Sequence, residues 1–311
     1  GAGKHCCLTT GAYAAIRQQF GRSIAEFEGV QEALEPIAGD TYMMDAARRL
    51  TAAMLDRGIK PAIPSALLKY RNTELMRDVV NNAMDVVAGR GVIVGPRNFL
   101  ARVYQSLPIS ITVEGANILT RSLMVFGQGA IRCHPYLVQE IEAASANPSA
   151  DAVKQFDQAF FGHLGHAFSN VLRSLGLALS LGYLSRTPNQ GQLQPYYRRL
   201  NRFSAALALL TDVSLAVIGG KLKARERLSG RMADSLVSLY YASATLKYFH
   251  DNGYPEEERV LVDWAMKRCL YDVQRAMNDV IANYPVPWLR PLLRVLVFPL
   301  GLRLAPPGDL L

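Results

Sequence analysis

The segment IRQQFGRSIAEFEGVQEALEPIAG, Ile16–Gly39, decides how the chain reads. From Ala12 onward, Ile16, Phe20, Ile24, Phe27, Val30 and Leu34 recur at three- and four-residue steps. That spacing predicts one apolar stripe on one long helix, kinked or ended by Pro36. Working outward, a second helix is expected over Thr41–Arg57, stopped by Gly58 and Pro61. A third starts near Pro64, with Ser65 as N-cap, and runs through Leu67, Leu75, Val79 and Val80 toward Ala88. A glycine-rich connector, Ala88–Asn98, leads to a short helix from Phe99 to Gln105. Pro108 interrupts it, and a last helix covers Ile118 to about Gly127. No stretch alternates as strands do, so the fold class is all-α: an up-and-down bundle.

The text changes at ASANPSA, residues 144–150, a small-residue linker with one proline. Beyond it the pattern is helical again, over 152–185, 193–228, 230–251 and 256–283. RTPNQGQ and HDNGYPEEE supply the turns between these helices. Two domains follow: a bundle over 1–143 and a helical extension over 151–311 with a basic, apolar tail. The first residue is Gly rather than Met, which suggests a piece of a longer chain.

With 311 residues, half of them hydrophobic, the chain can bury sizeable cores and is not disordered. Its formal charge of +8 points to an acidic partner such as an anionic lipid surface or a phosphorylated ligand. No basic stretch is interleaved with aromatics, which argues against nucleic acid. The four cysteines, Cys6, Cys7, Cys133 and Cys269, show no C-x-x-C spacing, so neither a disulfide framework nor a thiolate zinc site is expected. A reducing, cytoplasmic setting is the simpler reading.

Several features invite a chemical reading. The glycines of GRGVIVG follow a helix rather than a strand and miss G-x-G-x-x-G, so a helix end and tight turn fit better than a phosphate loop. His163 and His166 share one helix face but lack further ligands in sequence, so no metal site is expected. Phe203–Gly220 has the length of a membrane span, yet Asp212 at its middle would cost about 2.5–3.5 kcal/mol there. A core helix is the better reading. Residues 198–231 carry eight basic residues against Asp212 and Glu226, and the tail spaces Arg290, Arg294 and Arg303 among Trp288, Leu292, Leu293, Val297 and Phe298. Both features would suit a membrane surface, or else solvated helix ends and a strap packed on the second half. Glu114, between a β-branched run and Gly115-Ala116-Asn117, reads as a helix-start acid or as a base aimed into a pocket.

Three motifs in order resolve that choice. IRQQFGRSIAEFEG, with Arg17, Phe20 and Gly21, resembles the R-x-x-F-G start of the C-terminal bundle of acyl-CoA dehydrogenases. DVVAGRG resembles the family's Q-x-x-G-G-x-G turn, and VEGANILTR its E-G-T-x-x-I-x-R stretch. ARVYQSLPISITVEGANILTRSLMVFGQGAIRCHPY and the second half resemble the bacterial long-chain (FadE-type) members, so the resemblance covers nearly the whole chain. It implies the C-terminal part of an FAD-dependent enzyme that converts fatty acyl-CoA to trans-2-enoyl-CoA in β-oxidation. Glu114 matches the base that removes the α-proton, and Gly115 gives the thioester clearance. Arg17, Phe20, Asp85 and Gly89 match positions that reach the cofactor of a neighbouring subunit in a homodimer. Asp85 stands where the family commonly has Gln. Ala116 stands where Thr often bonds the cofactor, with Asn117 as a substitute. The resemblance further implies electron-transfer flavoprotein as acceptor and, with the basic tail, peripheral association with the inner face of the cytoplasmic membrane. An acyl-CoA oxidase could use the same base, and a non-catalytic docking module would use only the basic second half.

Overall fold

The computed structural model describes residues 1–147, 149–189 and 191–308; Pro148 of the linker and Gln190 of the RTPNQGQ turn lie outside them. In chain order the helices are α1 (Ala2–Ile16), α2 (Glu28–Asp56), α3 (Ala62–Val87), the single turn α4 (Gly89–Val92), α5 (Ala101–Thr112) and the turn α6 (Asn117–Leu119). A π-helical stretch, Thr120–Gln128, leads to α7 (Gly129–Cys133), α8 (Leu137–Ser145), α9 (Ala150–Leu179) and α10 (Gln194–Ile218). The last three are α11 (Glu226–Asp251), α12 (Arg259–Ala282) and α13 (Leu289–Val297). The fold is all-α; the described strands are two residues each, β1 (Gln18–Gln19) and β2 (Arg22–Ser23).

Those strands correct the opening expectation. Ile16–Gly39 is not part of one long helix: α1 stops at Ile16, a hairpin pairs Gln18 with Ser23 and Gln19 with Arg22, and α2 begins at Glu28. Phe20 and Gly21, with φ of 50° and 79°, form the two-residue turn, whose twist suits a hairpin. Ser23 locks the reversal. Its hydroxyl donates to the Ala14 carbonyl, left unpaired by the end of α1, and accepts from the Ala25 N–H. Of the expected apolar stripe, Ile24, Phe27, Val30 and Leu34 are partly buried, whereas Ile16 and Phe20 are exposed.

Prolines mislead in the other direction. α2 runs through Pro36, merging two expected helices, and α5 runs through Pro108. An interior proline removes one backbone bond and costs roughly 3 kcal/mol. In α2 that loss is offset by burial of Ile37, Met43, Ala46 and Ala47 on the inward face. α3 begins at Ala62 with Pro61 as N-cap, so Ser65 lies inside the helix. The expected α-helix over Ile118–Gly127 is instead mostly π-helical, a rare form that recurs at functional sites.

The described chain forms two compact units, and they are not consecutive in sequence. The first joins residues 1–120 with 240–271 and the C-terminal residues from 305. The second comprises residues 121–239 and 272–304. The linker at 144–150 had suggested a boundary between consecutive halves.

In the first unit α1, α2, α3 and α5 pack on one another. Their core holds Cys6, Ile37, Val79, Val80, Ala83, Val87, Leu100 and Leu107. Gly39 of α2 makes room for Trp264: a Cβ there would lie 2.1 Å from the indole Cε3. Tyr42 donates to the Glu258 carboxylate (2.7 Å), and buried Tyr241 donates to the Asn72 side-chain oxygen (2.7 Å).

In the second unit α9 packs against α8, α10 and α13. The core is carried by Phe203, Leu209, Leu210, Met232, Val273, Met277, Val280 and Tyr284. Residues Gly191–Ala224 are long and apolar enough to cross a membrane by composition, but much of α10 is interior here, Phe203 and Leu210 entirely so. Asp212 is a buried partner rather than an interruption. Its carboxylate accepts from Asn170 Nδ2 (2.8 Å) and from His134 Nε2 (3.2 Å). Burial would raise the Asp212 carboxyl, but these hydrogen bonds prevail and hold it below the usual carboxylate range.

Candidate functional site

Glu114 lies on the turn between α5 and α6, with an exposed side chain and φ of 53°. Gly115 follows at φ of 96°. A left-handed non-glycine residue costs about 1–2 kcal/mol, so the turn must be held from outside. Lys69 of α3 holds it. Its Nζ donates to the Ile111 carbonyl (3.1 Å), the Gly115 carbonyl (2.5 Å) and the Asn117 side-chain oxygen (2.7 Å). Those three bonds use all three ammonium hydrogens. One turn along α3, Asn117 Nδ2 donates to Thr73 Oγ1 (2.8 Å) and Glu74 Oε1 (2.7 Å). Thr120 Oγ1 also donates to the Gly115 carbonyl (3.3 Å). The chain is thus gripped on both sides of Glu114 while its carboxylate faces outward. Gly115 suits the turn through its φ, and a Cβ there would crowd Thr120 Oγ1 at 3.3 Å.

Asn117, expected at the cofactor, is buried and has its amide committed to Lys69, Thr73 and Glu74. Ala116 is exposed beside it. Lys69 had no signature in sequence: it is an ordinary lysine two residues after Leu67, and its partners come from more than forty residues downstream.

The other expected cofactor residues gather elsewhere. Arg17 is exposed just past α1, and Phe20 at the hairpin tip is 94% exposed. Asp85 and Gly89 are exposed around the end of α3. The Arg90 guanidinium lies 5.7 Å from the centre of the Tyr13 ring, which puts the hairpin and the α3–α4 turn at the same end of the bundle. An open cleft of about 940 Å³ lies there, lined by Asp85, Ala88, Gly91, Val92, Tyr104 and Gln105 among others. Ala88 adopts φ 52°, ψ −136°, a conformation suited to glycine. From Lys69 to Asp85, α3 rises about 24 Å. The Glu114 turn and the Arg17–Phe20–Asp85–Gly89 cluster therefore occupy opposite ends of one helix.

A third cluster, in the second unit, brings His134, His163 and Asp212 together, with candidate ligand atoms within 4.8 Å of one another. His163 Nδ1 meets Glu140 Oε1 at 2.8 Å. The backbone N–H groups of Tyr136 and Leu137 donate to His134 Nδ1 (3.3 and 3.1 Å). That nitrogen therefore carries the lone pair, and Nε2 carries the proton donated to Asp212. A metal would require His134 to surrender that proton. As arranged, His134 and Asp212 are hydrogen-bonded to each other, and His163, bonded to Glu140, packs its ring 4.4 Å from that of His134; the His163–His166 spacing did not reveal this.

The basic stretches are only partly free. Arg202 is buried, its guanidinium 5.1 Å from the Phe203 ring centre. Burial, reinforced by Arg303 and Arg199, lowers its pKa. Arg290 Nε donates to the Tyr284 carbonyl (2.8 Å) and Arg294 to Asn278 (2.7 Å). The backbone N–H of Arg303 donates to Gln274 (2.8 Å). Leu289, Leu293 and Val297 of α13 are buried, whereas Trp288, Leu292 and Val295 are exposed. α9 exposes Phe161, Leu164, Phe168, Leu172 and Leu179 at helical spacing.

Residues 1–125 match the family model described as acyl-CoA dehydrogenase, C-terminal domain, and residues 131–311 match acyl-CoA dehydrogenase, C-terminal, bacterial type. "Probable acyl-CoA dehydrogenase FadE10" of Mycobacterium tuberculosis is 26% identical over 78% of this chain and 38% of its own length. Human mitochondrial very long-chain specific acyl-CoA dehydrogenase is 26% identical over 91% of this chain and 41% of its own length. The chain thus spans about two-fifths of these curated relatives. A crystal structure of acyl-CoA dehydrogenase complexed with FAD from Bacillus anthracis superposes with a TM-score of 0.72 at 18% identity, covering 99% of this chain and 51% of that one. With two family models together spanning nearly its whole length, the chain belongs to the acyl-CoA dehydrogenase family.

Proposed function

We propose that this chain is the base-bearing, C-terminal part of an FAD-dependent acyl-CoA dehydrogenase acting on fatty acyl-CoA in β-oxidation. The observation that carries the reading is the Glu114–Gly115 turn, a strained carboxylate turn pinned by Lys69 with its acid facing outward. A proton α to a thioester is weakly acidic, so its removal needs a fixed carboxylate covered from water once substrate is in place. Glu114 would take that proton. Gly115, lacking a Cβ, lets the thioester approach the backbone, and the Glu114 N–H would donate to the thioester oxygen as charge builds there. FAD, when bound, supplies the acceptor for the β-hydride.

The residues present suit such a cofactor. At the far end of α3 a roomy cleft is lined by Asp85 and Ala88, and the hairpin at the same end of the bundle carries an exposed guanidinium, Arg17, and an exposed ring, Phe20. Arg17 fits a pyrophosphate through paired hydrogen bonds. Asp85 suits a hydroxyl or amino donor better than a phosphate, and Gly89 leaves open space, with nothing within 4 Å of where a Cβ would be. On the family resemblance the two groups serve cofactors of different subunits, so the reading includes a homodimer. Electron-transfer flavoprotein is the acceptor on this reading. An oxidase would pass electrons to oxygen instead, and comparing the two acceptors in turnover separates them.

A peripheral position on the inner face of the cytoplasmic membrane is favoured by the exposed apolar residues of α9 and of the tail helix α13. The docking module alone accounts for this surface but not for the Glu114 turn. Stopped-flow reduction of the flavin-loaded, full-length protein by long-chain acyl-CoA tests the enzymatic reading. Glu114→Gln should slow reduction by several orders of magnitude, and fast reduction in that variant would refute it.

A further inference from the structure

The most specific polar construction around the proposed base belongs to a residue no motif includes. We propose that Lys69 is a positioning residue for Glu114: it fixes the turn that presents the carboxylate to substrate. The inference rests on the proposed role of Glu114 as base.

Lys69 binds the Ile111 carbonyl before Glu114 and the Gly115 carbonyl after it, and through Asn117 Oδ1 it reaches the start of α6. Ile111 lies in the last turn of α5, whose carbonyls lack helical partners. One ammonium therefore ties the end of α5, the reversal itself and the start of α6 to the rigid flank of α3. Two successive left-handed residues, Glu114 and Gly115, hold their conformation between those ties. A neutral side chain with two donors could satisfy at most two of the three acceptors.

Lys69 is partly buried, and its three acceptors are all uncharged oxygens. The ammonium is thus committed to holding backbone and amide groups around the turn, while the Glu114 carboxylate is left free to face the substrate.

The test uses the full-length, flavin-loaded protein, with flavin absorbance and a thermal melt confirming that each variant is assembled. Lys69→Gln removes the charge and Lys69→Arg keeps it. In single-turnover flavin reduction by long-chain acyl-CoA, Lys69→Gln should be slower by about 10–100-fold. The acyl-CoA concentration that gives half the limiting rate should stay at the wild-type value, because the pocket is intact and only the base is misplaced. Lys69→Arg, which keeps the charge and several donors, should recover part of the lost rate. A Lys69→Gln defect that appears as weaker acyl-CoA binding with an unaltered limiting rate overturns the proposal. If Lys69→Gln does not assemble, the Lys69→Met and Lys69→Arg pair makes the same comparison. A Glu114→Gln variant that still reduces flavin quickly overturns the base assignment and this inference with it. An inert Glu114→Gln beside an unaltered Lys69→Gln overturns only the role of Lys69.

Discussion

Replacing Asp212 by Leu probes the interior of the second unit. The carboxylate accepts one bond from His134 Nε2 and one from Asn170 Nδ2, and all three side chains are buried. Leucine leaves two interior N–H donors without acceptors, each costing about 1–3 kcal/mol, and returns part of that through apolar burial. The net expectation is a loss of about 2–4 kcal/mol, or roughly 5–15 °C in melting temperature for a unit of this size. Adding Asn170→Leu removes one orphaned donor and should recover about 1–2 kcal/mol. The pH dependence has a definite sign. The Asp212 carboxyl titrates below its ordinary range in the folded protein. Its contribution is therefore complete above the ordinary carboxylate range and fades as pH falls through the depressed folded value. Urea unfolding at pH 7 and at progressively lower pH reads both effects. If Asp212→Leu is as stable as the parent at neutral pH, or if the double variant is no better than the single, the reasoning fails.

Gly39→Ala should destabilise the first unit by about 1–3 kcal/mol, because its Cβ would overlap the Trp264 indole; adding Trp264→Leu should relieve part of that loss in chemical denaturation. Asp45 accepts from Lys4, Arg48 and Arg49, and these bonds outweigh its burial to hold the carboxyl at about 2. Asp45→Asn should therefore lose about 1–2 kcal/mol at neutral pH, after allowance for half-exposed partners. That deficit should shrink as pH falls from about 4 toward 2, as followed by thermal melts. Ala88→Gly should stabilise the protein by about 1 kcal/mol in the same melts, by releasing a left-handed alanine.

Much of the fold is legible in the sequence because apolar residues at helical spacing leave few alternatives. The all-α class and most helices of the second half follow from that pattern alone. Local chemistry misled where tertiary forces prevailed. The helical spacing over Ile16–Gly39 misled because Phe20 and Gly21 turn the chain and leave Ile16 and Phe20 exposed, while Ile24, Phe27 and Val30 are partly buried. Pro36 looked like a stop, but the buried flank of α2 outweighs one missing bond. At the candidate site, Glu114 and Gly115 were readable from their motif. Lys69 was not, since nothing in a single sequence joins residue 69 to residues 111–117. Asn117 looked available to a cofactor only because its buried partners, Thr73 and Glu74, come from a distant helix. His134 and Asp212 likewise meet across 78 residues.

The most direct test of the central claim is exchange of the α-hydrogen of acyl-CoA into deuterated water, under anaerobic conditions, on the full-length flavin-loaded protein. If Glu114 is the base, the parent protein exchanges deuterium at the α-carbon and Glu114→Gln does not, although both bind acyl-CoA. Exchange at the parent rate in Glu114→Gln would contradict the account.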